Sequence, residues 1–563
     1  MRKTLALFLA LACCFATFGA LAEEAPTVLT IGSSYTMNEN WVNWPVFTKI
    51  QEDLNIKIDF TQYDDETINL VLAGGELPDI VLAKSQSVAA ILNNRLALDV
   101  APLLEEYAPN LLRDEYITTA NLLRKLMGGE EEALYLFAPA VGLENADGGS
   151  WGARGYIVRW DYYQELGCPE IKNDDDYIAV IKQMQANHPT TESGKRTYGV
   201  GVESNLGDFG GYRASFTKAM GLSPWTFGGY KYANDFRTND LYDGYTDLEH
   251  STYWTDMAFY NKLYREGLFD EDCFTMTYDE YAAKMEDGTY MGLYFFDDSL
   301  YNAMRVKDPD TMAGYVAVPS EGVMSFANKV KVTGNLPSAY GFINAKTENW
   351  QTALAFYNAL YDPDNARIYF CGIQGESWDY DENGVPYLFE ETLQASREGK
   401  LEWKAPLTAL MPYTDTGRHT DGYYYDLFQM DEYVHDSLNP FRKAVSDYYG
   451  VACVPRAQQE LVEEGKTFDS SYDCGQAISA GIGNLPLDIK RILDTCNDIF
   501  YRAMPKLVMA QSDEEFQKVQ ADVLKQIEEA DEATAWEWVS EAYAASRAIV
   551  EPIFMEARET LLK

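Results

Sequence analysis

Residues 54–83, LNIKIDFTQYDDETINLVLAGGELPDIVLA, constrain the fold more than any other part of the chain. Residues 56–60 alternate apolar and polar side chains, which is typical of a strand with one buried face. Asp64 is placed to cap a following helix, and Gly74 with Gly75 supplies the permissive backbone that can end it. The pattern therefore predicts a strand followed by a helix, with a turn signal at each junction.

The neighbouring residues extend this unit into a sheet. Pro78 precedes the predicted strand 79–83, which is apolar after Asp79, and a run without alternation indicates a strand that is covered on both faces of a parallel sheet. An equivalent strand is predicted at residues 27–31, and the helix that follows it opens at Pro45. The predicted order is β-α-β-α-β.

In sheets of this kind, ligands bind outside the carboxyl ends of the strands. These ends fall at residues 33–35, 63–65 and 84–86. The ligand-binding candidates at them are Tyr35, Asp64, Lys84 and Gln86. Asp64 keeps a second interpretation, because an aspartate in that position can serve the helix cap alone.

Several segments resemble a known family. The run GGELPDIV, followed by LALDVAPLLEEYAPNL, resembles the amino-terminal lobe of extracellular solute-binding proteins of ABC importers, in the carbohydrate-type, maltose-binding-protein-like branch (family 1). The segments YIVRWDYYQELG and GFINAKTENWQTALAFYNALYDP are also similar to that family. The resemblance covers most of residues 27–385.

The resemblance implies a two-lobed α/β fold of the periplasmic-binding-protein-like II type. Each lobe would be a mostly parallel sheet flanked by helices, and residues from about 484 onward would form a helical C-terminal region. Lobe 1 is expected to comprise residues 23–150 with 319–400, and lobe 2 residues 151–318 with 401–563. The chain would cross between lobes at residues 148–156 and near Pro319.

The function implied by the resemblance is the capture of a carbohydrate, in particular an oligosaccharide, by hinge closure. The carbohydrate would be delivered to the transmembrane permease subunits of an ABC transporter, and the binding protein would be a monomer. Two alternatives stay open at this point. One is a binding protein for peptides or another polar solute, and the other is a secreted glycan-active hydrolase.

Aromatic side chains are abundant, with 40 Tyr and 11 Trp among 563 residues. Flat rings can stack on the apolar face of a sugar, while amides and carboxylates bond its hydroxyls. The further ligand-binding candidates near predicted strand ends or cleft edges are Trp41, Trp151, Asn205, Trp225, Phe296, Asp297 and Trp378. Any one ring has a competing interpretation as a core residue, since Tyr and Trp are commonly buried in part.

Residues 1–22 read as a signal peptide, with Arg2 and Lys3, an apolar run and an A-x-A site at residues 20–22. This predicts an exported protein, extracellular or periplasmic, and a lipid anchor at Cys13 is the less favoured alternative. The formal charge of −43 argues against nucleic acid as a partner. Six cysteines follow the signal, and their wide spacing fits either disulfides or ordinary buried thiols.

The enzyme motifs are in the wrong context. Ser150 lies in a G-x-S-x-G pattern, but a polar loop precedes it and a predicted strand follows, whereas a nucleophile elbow needs a strand before the serine and a helix after it. With 88 acidic residues, carboxylate pairs of the glycosidase type occur by chance. The loop HPTTESGKRTYG lacks the alternating carboxylates of a calcium site. No catalytic residue, metal or cofactor is predicted.

Overall fold

The computed structural model describes residues 25–138, 143–144, 155–202, 221–223, 229–293, 311–322, 331–332, 339–401, 403, 410–413 and 417–561. The predicted signal peptide and most of the first predicted crossover lie outside these residues. The strands are β1 (Thr27–Ser33), β2 (Ile56–Gln62), β3 (Ile80–Lys84), β4 (Leu143–Glu144), β5 (Tyr156–Arg159), β6 (Tyr198–Gly201), β7 (Leu222–Ser223), β8 (Tyr232–Asp235), β9 (Leu241–Asp243), β10 (Tyr290–Leu293), β11 (Tyr315–Val318), β12 (Lys331–Val332), β13 (Ala339–Ile343), β14 (Trp378–Tyr380) and β15 (Pro386–Leu388).

Helices cover both larger sheets and form most of the chain after β15. Those of eight residues or more are Pro45–Asp53, Asp65–Gly74, Asp114–Met127, Asp174–Asn187, Thr252–Arg265, Tyr278–Glu286, Trp350–Leu360, Pro363–Cys371, Glu390–Arg397, Pro440–Tyr449, Val454–Glu463, Gly475–Ile482, Leu487–Val508, Asp513–Glu529 and Glu532–Leu561. Shorter α-helices are Val88–Asn93, Leu104–Tyr107, Trp160–Glu165 and Asp431–Ser437.

The first sheet has the strand order β13-β3-β1-β2. β1 pairs in parallel with both β2 and β3, and β13 joins the edge of β3 in the antiparallel sense. The predicted β-α-β-α-β order is thus confirmed. Asp64 caps the helix Asp65–Gly74 through its side chain, and Gly75 ends that helix with φ +73°, as the local signals predict.

The second sheet has the order β11-β5-β10-β6 and is mixed. β10 pairs in parallel with β6, whereas β5 is antiparallel to both β10 and β11. β5 and β11 run in opposite directions to each other, and this follows from the path of the chain. β5 begins, and β11 ends, where the chain passes between the two sheets.

Each larger sheet has its own hydrophobic core. Ile31, Leu82 and Phe342 lie in the first core, which also receives Tyr413 and Tyr425. The second core surrounds β5, β6, β10 and β11 and is completed by the helices between residues 440 and 561. A third, small core contains Cys371, Trp378, Leu388 and Leu427 around the β14–β15 hairpin. The turn of that hairpin includes Gly384 at φ +80°, and the dipeptide Asn383-Gly384 is typical of a hairpin turn.

The segments that pass between the sheets are joined to each other. β4 and β12 form a two-stranded antiparallel sheet in which Leu143 pairs with Val332 and Glu144 with Lys331. β4 lies on the way from the first sheet to the second, and β12 on the way back. The helix Glu532–Leu561 packs against β12 and also against the helix Asp114–Met127, so the C-terminal helix touches elements of both halves.

Candidate functional site

The carboxyl ends of three parallel strands meet at one edge of the first sheet. The backbone N–H of Tyr63 donates to the carbonyl of Ser33 at 2.8 Å. Gln62 donates to the same carbonyl at 2.9 Å, and its Oε1 accepts from the backbone N–H of Met37 at 3.2 Å. The ends of β1 and β2 are therefore held together by side-chain and backbone hydrogen bonds.

Four predicted site residues lie at this edge. Lys84 reaches from the end of β3 to Asp65, with 2.5 Å between Nζ and Oδ1. Gln86 and Asp64 are exposed and Tyr35 is half-buried. The structure thus gathers Tyr35, Asp64, Lys84 and Gln86 on one rim, and whether they contact a solute stays a prediction.

Asp64 has a structural task at this rim. Its carboxylate accepts a hydrogen bond from the backbone N–H of Thr67 at 2.7 Å. That hydrogen bond lowers the pKa of Asp64 because it stabilises the charged form. Asp64 therefore serves the helix cap in this structure, and whether it also contacts a solute stays a prediction.

Two predicted aromatic residues lie inside cores. The Trp41 side chain is 0% exposed, and its ring packs edge-on against Phe47 and Phe60 with centroid distances of 4.7 and 5.3 Å. Trp378 is 5% exposed, and its Nε1 donates to the carbonyl of Gly372 at 3.0 Å. In this conformation neither ring has a face that a solute could reach.

The remaining predicted site residues, Trp151, Asn205, Trp225, Phe296 and Asp297, lie outside the described residues, as does Ser150. Their place in the topology is still informative. Asn205 follows β6, and Phe296 and Asp297 follow β10. β6 and β10 pair in parallel in the second sheet, and in sequence these three residues come within four residues of the strand ends.

Strand register shows that the chain enters and leaves the second sheet at the same edge. Leu293 at the end of β10 pairs with Gly201 at the end of β6 and with Ile157 near the start of β5. Val318 at the end of β11 pairs with Tyr156. On the first sheet, β13 begins at Ala339 opposite Lys84. Both sheets therefore present their parallel strand ends toward the crossing segments.

A cavity of about 510 Å³ lies farther along the chain, between the loop 417–431 and the segment 450–463. The side chains that give it its chemistry are those of Arg418, Tyr423, Tyr424, Arg456, Glu460 and Glu463. A volume of this size is within the range of about 300–1,000 Å³ that is usual for small-molecule sites. Sequence reasoning missed this cavity.

Arg456 is the centre of the cavity wall. Its Nε donates to Asp431 at 2.8 Å, and its Nη2 donates to the Tyr424 hydroxyl at 3.0 Å and to the carbonyl of Gln429 at 3.2 Å. Its Nη1 is buried, and among the described residues it has no hydrogen-bond partner. Arg456 therefore holds one buried guanidinium nitrogen without an acceptor in the wall of the cavity.

The residues around the cavity belong to different cores. Tyr425, next to Tyr424, lies in the first core, with its ring 4.5 Å from that of Tyr413. The helix Val454–Glu463 packs on the helix Pro440–Tyr449, whose Phe441 and Val445 lie in the second core. The chain therefore makes a further passage between cores, between Met430 and Phe441.

Metal-binding chemistry is not evident in the part of the chain that the structure describes, where no three His, Cys, Asp or Glu side chains are grouped to hold an ion. In the loop HPTTESGKRTYG, Thr191 and Ser193 donate to Asp287 at 3.0 and 2.8 Å. Lys195 lies 3.7 Å from the same carboxylate. Asp287 thus has hydroxyl and ammonium partners from that loop.

Comparison with solved structures identifies the fold. The chain is similar to the HMO binding ABC-transporter associated solute binding protein from Bifidobacterium longum infantis, with a TM-score of 0.56, 14% identity and coverage of 92% of this chain and 99% of that one. This is the solute-binding-protein fold. A Streptococcus pneumoniae ABC-transporter substrate binding protein, FusA in complex with kestose, is also similar, with a TM-score of 0.53, 14% identity and coverage of 92% and 100%.

A third solved structure, the alginate-binding protein AlgQ2, has a TM-score of 0.50, 15% identity and coverage of 92% and 98%. At these identities the likeness establishes the fold alone: two α/β lobes with a helical C-terminal region.

At the level of sequence, the chain is 24% identical over 275 residues to Lipoprotein LipO from Bacillus subtilis (strain 168). The match spans 48% of this chain and 46% of that protein, so it covers less than half the length of either. No protein-family model matches the chain. Among the residues that the structure describes, none of the helices combines the length and the apolar run that a bilayer crossing requires.

Proposed function

We propose that this protein captures an oligosaccharide outside the cytoplasm by hinge closure and delivers it to the permease subunits of an ABC transporter. The observation that carries the proposal is the joint between the two sheets: β4 and β12 pair with each other, and both sheets present their parallel strand ends toward that joint. A solute bound between the sheets would contact both halves. It would favour the closed state by its higher affinity for that state.

The likeness to solved structures supports the solute class. It extends over about nine-tenths of the chain, and the two proteins compared are an HMO binder and a protein solved in complex with kestose. In this protein the half-buried Lys84 and the exposed Asp64 and Gln86 would supply hydroxyl partners at the rim of the first sheet. An affinity near 1 μM requires about −8 kcal/mol, which a few buried hydrogen bonds and ring contacts can supply.

We assign residues to the two lobes according to the hydrophobic core in which they pack. Residues 23–150 with 319–400 form lobe 1, and 151–318 with the C-terminal helices form lobe 2. Because Tyr413 and Tyr425 pack in the first core, we place the last passage between lobes at residues 430–441, within the region that the sequence assigns to lobe 2. Trp151 and Trp225 are proposed to face the solute from the crossing and from lobe 2.

The proposed location is the outside of the membrane, after removal of residues 1–22. The likeness to a protein named as a lipoprotein keeps acylation at Cys13 as the alternative to soluble export. Mass spectrometry of the protein from its own cell envelope distinguishes the two. A mature chain that starts near residue 23 supports soluble export, whereas a lipid-modified Cys13 supports the anchor.

The proposed activity is binding without conversion. A glycan array that carries kestose, nystose, alginate oligosaccharides and lacto-N-tetraose would identify glycans that the mature protein retains. Each retained glycan should be recovered intact after incubation, and its saturation should lower the radius of gyration in small-angle scattering. Release of a cleaved product would contradict binding alone, and an unchanged radius at saturation would contradict hinge closure.

A further inference from the structure

We propose that the cavity between the loop 417–431 and the segment 450–463 is a subsite for a neutral sugar unit of the captured oligosaccharide. This inference rests on the proposed function and adds to it a place and a chemistry. The cavity of about 510 Å³ lies apart in sequence from the strand ends at residues 33–35, 63–65 and 84–86.

The polar groups of the cavity match a hydroxyl ligand. Arg456 brings a buried Nη1 donor without a hydrogen-bond partner among the described residues. Glu460 and Glu463 line the same cavity and bring acceptors. A sugar hydroxyl both donates and accepts, so it can use both kinds of group at once.

The same groups argue against other ligand classes. An anion would be attracted by Arg418 and Arg456, but the carboxylates of Glu460 and Glu463, which line the same cavity, would repel it. An apolar ligand would remove these charges from water without replacing their hydrogen bonds. A neutral polyol avoids both costs.

The aromatic wall is held rigid by cations. The Arg418 guanidinium carbon lies 3.7 Å from the ring centroid of Tyr424, and Arg456 donates to the hydroxyl of that same ring. Tyr424 is buried, whereas Tyr423 is half-buried. Tyr423 is therefore the ring with area left to cover a sugar face.

The cavity lies where the chain passes between the two cores. Its loop is fixed to the first core through Tyr425, and its helix Val454–Glu463 packs on the helix Pro440–Tyr449 of the second core. Arg456 of that helix donates to Asp431, Tyr424 and Gln429 of the loop, so the two walls are already joined to each other. The subsite should therefore contribute to specificity.

The test compares two carboxylates on one helix end. Glu460→Ala removes an exposed acceptor of the cavity, and Glu464→Ala removes an exposed carboxylate four residues later that does not line it. Because a hydrogen bond to a charged group contributes about 1.5–3 kcal/mol, Glu460→Ala should weaken calorimetric binding of the array-selected glycan by about 10-fold or more. Glu464→Ala should leave it within twofold, and thermal unfolding checks that both variants fold.

The outcomes separate this inference from the proposed function. If the wild-type protein retains no glycan on the array, the result contradicts both the proposed function and the subsite. If a glycan binds and Glu460→Ala leaves its affinity unchanged, the subsite is wrong and the proposed function stands. If only uronic-acid glycans bind, with Arg418→Gln abolishing binding and Glu460→Ala strengthening it, the cavity is an anion site and the neutral-sugar assignment is overturned.

Discussion

Tyr232 donates a hydrogen bond of 2.8 Å to Glu532 across a sequence separation of 300 residues. Glu532 is 3% exposed, and it shares its burial with Asp243 on β9, which is 7% exposed. Burial, and then the proximity of Asp243, raise the pKa of Glu532 to about 7. Burial also raises the pKa of Asp243. The first residue of the C-terminal helix thus enters the second core as a carboxyl group that favours its neutral form.

The first prediction concerns stability against pH. Unfolded Glu532 would lose its proton near its ordinary pKa of 4.5, while the folded protein keeps it to about pH 7. The stabilisation by Glu532 is therefore fully present below pH 4.5 and is lost as the pH rises to 7. Glu532→Gln should remove up to about 3 kcal/mol of this pH dependence, measured as the free energy of unfolding in urea between pH 4.5 and 8.

The control for this prediction is Glu528→Gln. Glu528 and Glu532 both line a surface cavity beside β9. Glu528 is exposed, so its loss should leave the pH dependence unchanged. If Glu532→Gln retains the full decrease in stability between pH 4.5 and 8, another group is responsible for it.

The second prediction concerns the packing of Gly481 against two neighbouring helices. A Cβ atom added at Gly481 would lie 2.2 Å from Ser546 Oγ and 2.9 Å from Leu126 Cδ2. Ser546 belongs to the C-terminal helix and Leu126 to the helix Asp114–Met127. Gly481 lies on the helix Gly475–Ile482. Gly481→Ala should therefore push this helix away from the other two, at a cost of about 1–3 kcal/mol, and lower the Tm.

Gly74→Ala is the matched substitution, because a Cβ added there meets no atom within 4 Å. It should leave the Tm unchanged or raise it slightly, since alanine restricts the unfolded chain. Equal changes in Tm for the two variants would show that the space around Gly481 does not decide the effect.

The third prediction concerns Asp79, at the entry to β3. One oxygen of its buried carboxylate accepts from the backbone N–H and the hydroxyl of Thr30, both at 2.8 Å. The other accepts from the Thr347 hydroxyl. Burial raises the pKa of Asp79, but hydrogen bonds from Thr347, Thr30 and Asn349 outweigh burial and lower it. Asp79→Ala should cost about 2–4 kcal/mol in unfolding free energy, because buried donors lose their acceptor.

Asp59→Ala provides the comparison for Asp79. Asp59 lies on β2 of the same sheet with its side chain exposed, so its loss should change the free energy of unfolding by less than about 0.5 kcal/mol. A small effect at Asp79 as well would mean that its hydrogen bonds do not stabilise the first sheet.

The fourth prediction concerns the six cysteines that follow the signal sequence. All six are free thiols, and five of them are buried. Cys371 donates to the carbonyl of Tyr425 and accepts from the N–H of Leu427, so its sulfur contributes to packing. A thiol reagent should label the half-exposed Cys168 in the folded protein and all six cysteines in denaturant. Loss of stability on addition of a reductant would instead indicate a disulfide.

The extent to which the sequence predicts this molecule depends on how local each signal is. The helix that begins after Asp64 and ends at Gly75 is predicted because its cap and its stop are written within a few residues. The pairing of β4 with β12 has no such signal, because it joins segments nearly two hundred residues apart. Sequence alone does not reveal contacts of that kind.

The site candidates show the same limit. A tryptophan after a strand end can stack on a sugar or fill a core, and for Trp41 the deciding contacts come from Phe47 and Phe60. The cavity at residues 418–463 has one local signal, the Arg418 and triple-tyrosine run in GRHTDGYYYD. Its other wall comes from a helix that is brought there only by tertiary packing.

The place of the helix Glu532–Leu561 affects how the protein can be made. Leu122 and Phe554 share the second core, so the core needs residues from both the first quarter and the end of the chain. Synthesis proceeds from the amino terminus, and this core therefore stays incomplete until the ribosome has released the last helix. A chain cut short before residue 532 would leave a broad apolar surface open to proteases, so truncated copies should be degraded while copies that contain this helix persist.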